Sequence, residues 1–256
     1  MTGHQSAGTL PSLTIGVLTR DDAPAAARLH TRSFPDDLFT LAGERVLIRL
    51  FEEFADEVTL AAKLEGRLVG YSVGTLDKSR FMRRMVRRHM PTVAAGVALA
   101  ILRRPYETPG YVRGLVRWMV RPRAPSRSAL AVSMYEAISK DARTHRVPPL
   151  FFLQLHAAWI VHAERLGAQE IEGQVTDERM LAALSRLGYR LDRTVGVRGG
   201  SKHYIRCQLP AEGVHRWALD THGDTVSRPA AADVPASMGQ MPSSSPGVPG
   251  PRPQRR

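Results

Sequence analysis

Apolar positions along the first 75 residues recur with two distinct periods. Leu13 to Thr19 is a short apolar run that predicts a strand. Asp21 or Asp22 stands ready to cap a following helix, and Pro24 suits its first turn, where a missing N–H costs nothing. Ala25, Ala26, Leu29 and His30 give that helix a face, and Ser33-Phe34-Pro35 stops it, because the residue before proline avoids the helical region. Val46, Leu47, Leu50, Phe51 and Phe54 then fall at i, i+1, i+4, i+5 and i+8, the stripe of a second helix. Residues 58–64 and 67–75 read as two strands, joined tightly at Glu65-Gly66.

Residues 78–127 break this order. Arg80, Arg83, Arg84, Arg87 and Arg88 share a helical stretch with Phe81, Met82, Met85 and Val86, and an apolar run over 93–102 follows. Pro105, Pro109, Gly110, Pro122 and Pro125 punctuate the rest, so the segment reads as a helical insertion between two parts of a sheet. Strand pattern resumes over 129–138, with a polar loop over 139–147. Pro148-Pro149 and Gly167 frame a helix over 150–166; a strand over 150–156 is the competing reading of its first apolar residues. A strand over 169–175, a helix over 178–187 and a hairpin 189–197/202–209 turning at Gly199-Gly200 complete the pattern. The expected layout is one domain over 12–210, with 78–127 inserted. A disordered tail over 211–256 follows, dominated by Ser, Pro, Ala and Gly and unable to bury enough apolar surface to offset its ordering.

Charge sharpens the insertion. The 256 residues carry a formal +12, and between Arg80 and Arg127 twelve arginines face one acid, Glu107, for a net of +11. An anionic membrane surface is one partner such a segment suits, since a basic helix beside an apolar one can lie at a lipid interface. The competing expectation packs the apolar run on the domain as a lid while the arginines face water. Nucleic acid is not favoured, because outside this segment the chain is close to neutral. One cysteine, Cys207, excludes a disulfide scaffold and a cysteine-based zinc finger and reads as a small core residue. His156 and His162 are six apart, not the i, i+4 of a helical metal pair, and read as satisfied or solvated histidines; no metal is expected. No run reaches the roughly 18 apolar residues that span a bilayer and no signal peptide is visible, so a cytoplasmic location is expected.

Three stretches carry a family resemblance. Leu29-His30 with Ser33-Phe34-Pro35 and Leu41-Ala42-Gly43 resembles the first two helices, and the loop between them, of the GCN5-related N-acetyltransferases. Residues 61–71 are similar to that family's second and third strands. Residues 163–168 through Ser185-Arg186-Leu187-Gly188-Tyr189 resemble its closing strand-helix-strand, where Leu-Gly-Phe/Tyr is habitual. The implied fold class is α/β (α+β), a GNAT-like acyl-CoA N-acyltransferase fold with a mixed central sheet flanked by helices.

The resemblance also implies chemistry. Acetyl-CoA or another acyl-CoA is the expected co-substrate, an amine of a small molecule the expected acceptor, and direct transfer without a covalent enzyme intermediate the expected route. The family's pyrophosphate loop, Gln/Arg-x-x-Gly-x-Gly/Ala, corresponds to Arg143-Thr144-His145-Arg146-Val147-Pro148, following the strand end at Ile138. Arg146 and Pro148 replace its glycines, so guanidinium contacts would stand in for backbone donors. Glu136 occupies the place of the general base, against an alternative as an exposed polar residue on an alternating strand. The tyrosine that often protonates the thiolate is Leu184 here, and the usual asparagine falls near Asp177; either another group, with Tyr135 the candidate, supplies the proton, or the thiolate leaves unassisted, or no chemistry occurs. Phe34 and Pro35 are the candidate acceptor-binding residues. The rival function is a catalytically degenerate binding protein on the same fold.

Overall fold

The structure, a computed structural model, describes residues 13–106, 108, 110, 112, 113, 116, 130–139, 151–197, 200–211 and 214. Seven strands form one sheet: β1 (Leu13–Gly16), β2 (Val58–Leu64), β3 (Arg67–Thr75), β4 (Leu130–Ile138), β5 (Glu170–Val175), β6 (Arg190–Val197) and β7 (Gly200–Gln208). Their order is β1-β2-β3-β4-β5-β7-β6, with β4 and β5 parallel and every other pair antiparallel. The β2–β3 hairpin has the predicted ends; Glu65 and Gly66 take φ of 50° and 77°, the left-handed pair that matches a two-residue turn to strand twist.

Helices cover both faces. On one lie α1 (Ala23–Ser33), the short α2 (Leu38–Ala42), α3 (Glu44–Phe54), α4 (Lys78–Arg88) and α5 (Met90–Arg103); on the other lie α6 (Phe151–Arg165) and α7 (Glu178–Ser185). The first core joins Ala26, Leu47, Leu50, Phe51, Phe54 and Phe81 to Tyr71 and Val73 of the sheet. The second joins Leu155, Trp159 and Ile160 of α6 to Val58, Leu60, Ile171 and Ile205, and Trp159 donates its indole N–H to the Val58 carbonyl at 2.8 Å. Ala211 and Val214 are buried in this second core, so packed residues continue past the expected boundary at 210.

Some local expectations change. Asp22 takes the N-cap position of α1 but makes no side-chain cap bond: a 3-10 turn (Arg20–Asp22) precedes the helix, and the Asp22 carboxylate accepts from the Thr19 N–H and hydroxyl and pairs with Lys63 at 2.8 Å. Ala25 is only half-buried; Ala23, Ala26, Ala27 and His30 form the inner stripe at i, i+3, i+4 and i+7. Residues 151–156 are helical, not extended. In the insertion, α5 buries Val93, Gly96 and Ala100; at Gly96 a side chain would strike Val46 and the Ala42 backbone. The apolar run therefore packs on α2 and α3. Residues 117–129 and 215–256, with most of the remaining insertion and the expected tail, lie outside the described residues.

Candidate active site

The central seam of the sheet opens. β4 pairs with β5 only at Leu130, Ala131 and Val132, opposite Glu170, Ile171 and Glu172. Beyond Val132 the strands part, while β4 stays paired with β3 as far as Ile138. Tyr135 pairs with Val73 and Ser133 with Gly74, leaving Met134 as an extra residue, a β-bulge that bends β4 where the parting begins. Gly74 permits the bend: a Cβ there would collide with the Trp159 ring and the Val132 carbonyl. The result is a cleft of about 270 Å³ lined by residues from both sides of the sheet, among them Phe34, Tyr135, Glu136, His156, Asp177 and Tyr189.

Glu136 reaches this cleft from the α6 side. Its side chain is 9% exposed, which overturns the expectation of an exposed polar residue. Its Oε2 accepts from His156 Nδ1 at 2.7 Å, and His156 Nε2 lies 3.0 Å from the Tyr189 hydroxyl. Glu136 Oε1 is buried with no hydrogen-bond partner among the described residues. Burial raises the carboxyl above the ordinary carboxylate range, and the electrostatic influence and hydrogen bond of His156 pull it only part of the way back. Tyr189 is held here by Gly188, whose φ of 91° turns the chain out of α7 and into β6.

A second polar chain starts at Tyr135, which lines the cleft, and runs into the core on the other face of the sheet. Tyr135 donates to Asp37 Oδ1 at 3.3 Å, Asp37 Oδ2 lies 3.4 Å from His30 Nε2, and His30 Nδ1 lies 2.8 Å from the Tyr71 hydroxyl. Burial, the charge of Asp37 and the bond to it hold the Tyr135 hydroxyl well above its usual pKa. Phe34 packs with tilted rings against both His30 and Tyr135, with ring centroids 4.9 and 5.8 Å away.

The predicted site residues thus divide. Glu136, Tyr135 and Phe34 meet at the cleft, as do Asp177, which caps α7, and the buried Leu184. Pro35 is exposed and does not line it; Ile138 packs against the α6-side core. Arg143, Thr144, His145, Arg146 and Val147 lie outside the described residues. Sequence reasoning passed over His156 as a site residue and read Tyr189 only as part of a motif. The available signal for His156 was a lone histidine between Leu155 and Ala157 on an apolar helix, a buried polar group that needs a partner. Among the described residues no cluster of His, Cys, Asp and Glu is arranged to hold a metal ion.

No family model matches the chain, and no curated protein matches it. Among solved structures, SsHAT is 18% identical with a TM-score of 0.50 over 77% of this chain and 98% of that one. The polyamine N-acetyltransferase of Drosophila melanogaster is 14% identical, TM-score 0.48, over 77% and 100%. The yncA protein of Salmonella typhimurium, solved with its cofactor acetyl-CoA, is 11% identical, TM-score 0.49, over 77% and 94%. Such identities speak to fold alone. The strand order, the opening between β4 and β5 and the likeness to SsHAT give the chain the mixed α/β fold of the GCN5-related N-acetyltransferases.

Proposed function

We propose that this protein is an acyl-CoA-dependent N-acyltransferase that moves an acyl group, acetyl in the first instance, onto an amine of a small molecule. One observation carries the reading: a carboxylate with a raised pKa lines the cleft where β4 and β5 separate, one of its oxygens without a partner among the described residues. A group poised nearer neutrality than an ordinary glutamate suits a base that must deprotonate an ammonium. Glu136 Oε1 takes one proton from the acceptor ammonium, and the freed lone pair attacks the thioester carbonyl. As the tetrahedral species collapses, the C–S bond breaks and the nitrogen's second proton goes to the departing thiolate. The products are amide and thiol, with Glu136 releasing its proton to solvent. Tyr135 and Phe34 wall the acceptor side.

Leu184 favours a second reading, a binding protein without turnover, since it offers no proton to a thiolate. A thermal-shift series with acyl-CoAs of rising chain length, followed by thiol release with a panel of amines, separates the two. Binding at a hundredfold excess over Kd stabilises the native state by about 2.7 kcal/mol. A shift with thiol release supports the transferase; a shift with none across the panel supports the binding protein. No shift with any acyl-CoA rejects the transferase.

For a partner surface we propose that the outer face of α4 meets anionic lipid. Arg80, Arg83, Arg84, Arg87 and Arg88 line a groove of about 540 Å³ there. Each basic side chain near such a surface contributes about 1 kcal/mol, weakened by salt. Co-sedimentation with anionic but not neutral vesicles is the expected result, and equal recovery with both rejects it.

A further inference from the structure

Glu136 is not an isolated base. The direction of its hydrogen bonds follows from donor inventory: an ionised carboxylate only accepts, so His156 Nδ1 carries the proton that bonds Oε2. In the neutral imidazole Nε2 is then the acceptor, and the Tyr189 hydroxyl donates to it. Burial holds that hydroxyl well above the usual phenol range, so it keeps its proton. The imidazole plane is fixed as well, stacked at 8° to the Phe152 ring and 27° to the Trp159 ring. Among the described residues, Asp177 lines the same cleft as Glu136, and Tyr71 on β3 feels the Glu136 charge.

We propose that His156 and Tyr189 are positioning residues for the Glu136 base. Tyr189 donates to Nε2 and so holds the imidazole in the tautomer that Glu136 selects, and His156 pins Oε2 so that Oε1 is the oxygen left for the acceptor. The inference rests on the acyltransferase reading for its kinetic consequence, but the tautomer is a property of the free protein. A purely structural role does not account for the arrangement. All three side chains line the cleft, and the chain of bonds ends on an oxygen left without a partner.

Two measurements test it. In ¹⁵N-histidine NMR of the unliganded protein, His156 is expected as the Nδ1–H tautomer, with a disturbed Nε2 signal in Tyr189→Phe. An Nε2–H tautomer in the wild type overturns the proposal whatever the protein catalyses. In steady-state kinetics with an accepted amine, His156→Ala is expected to lower kcat tenfold or more. KM for acyl-CoA should stay unchanged, and the acidic limb of the rate profile should move to higher pH, because the partner that favours the ionised carboxylate is gone. His156→Asn, which keeps an N–H near Glu136, is expected to recover part of the loss and covers the case in which the alanine variant fails to fold. If Glu136→Gln abolishes turnover while His156→Asn and Tyr189→Phe keep the wild-type rate and pH profile, the proposal falls and the transferase stands. If Glu136→Gln turns over like the wild type, it is the reading of Glu136 as base that falls.

Discussion

A buried carboxylate with one unpartnered oxygen weakens the fold whenever it is charged. Glu136 has a folded-state pKa above its unfolded value, so the stability linked to its titration is complete below the unfolded pKa and declines as pH rises through the folded one. Glu136→Gln is therefore expected to lose activity by about 10²–10⁴-fold. Its unfolding midpoint should gain on the wild type as pH climbs past the ordinary carboxylate range, which paired thermal melts across pH will show. Cys207 behaves more simply. Burial pushes its thiol up to about 11, against a smaller opposing influence from Arg190, and the side chain is enclosed. A thiol reagent should label it negligibly in the native protein and fully after unfolding. The sequence made Glu136 visible through its place on a recognisable strand. It hid His156, because the partners of that side chain come from β4 and from the residue just before β6. Side-chain meetings across elements leave no spacing to read.

Elements whose ends are written in local chemistry were legible. β2 and β3 end where the Glu65-Gly66 turn and the apolar alternation say they must, and α3 buries the whole predicted stripe. Gly74 is different, because its requirement comes from Trp159 and Val132, far away in sequence. Gly74→Ala should cost about 1–3 kcal/mol by overpacking and should lower affinity for any ligand seated between β4 and β5, since β4 must retreat. The α3–α4 junction was equally invisible. Glu53, buried on α3, accepts from Arg84 at 2.9 Å, Arg88 at 2.8 Å and His89 at 3.2 Å. Burial alone would raise its carboxyl; the bonds from Arg88, Arg84 and His89 together outweigh it and leave the group below its ordinary range. Its sign is thus opposite to that of Glu136: the stability it contributes is present above the unfolded pKa and is lost as pH falls through the folded one. Glu53→Gln is expected to cost about 1–3 kcal/mol at neutral pH, with a smaller difference from wild type in acid, measured by denaturant titration at both.

At the scale of the molecule, the strand order follows the resemblance, while the arginine contacts to the buried Glu53 and the polar chains flanking β4 follow from packing that no pattern of hydrophobic positions encodes. Three registered pairs join β4 to β5, against six in each neighbouring ladder, β3–β4 and β5–β7. The sheet is in effect two antiparallel halves, one from residues 13–138 and one from 170–208, with α6 lying across both: Trp159 reaches Val58 in the first, and His156 reaches Glu136 in the first and Tyr189 at the edge of the second. Amide exchange should divide along the same line, the backbone of 130–132 and 170–172 opening at lower free energy than β2 and β3. A ligand lodged in the gap then becomes a strut. Its own amide and thioester groups can bond to both exposed strand edges, so acyl-CoA should slow exchange in β4 and β5 together, and the two halves should come to exchange as one cooperative unit.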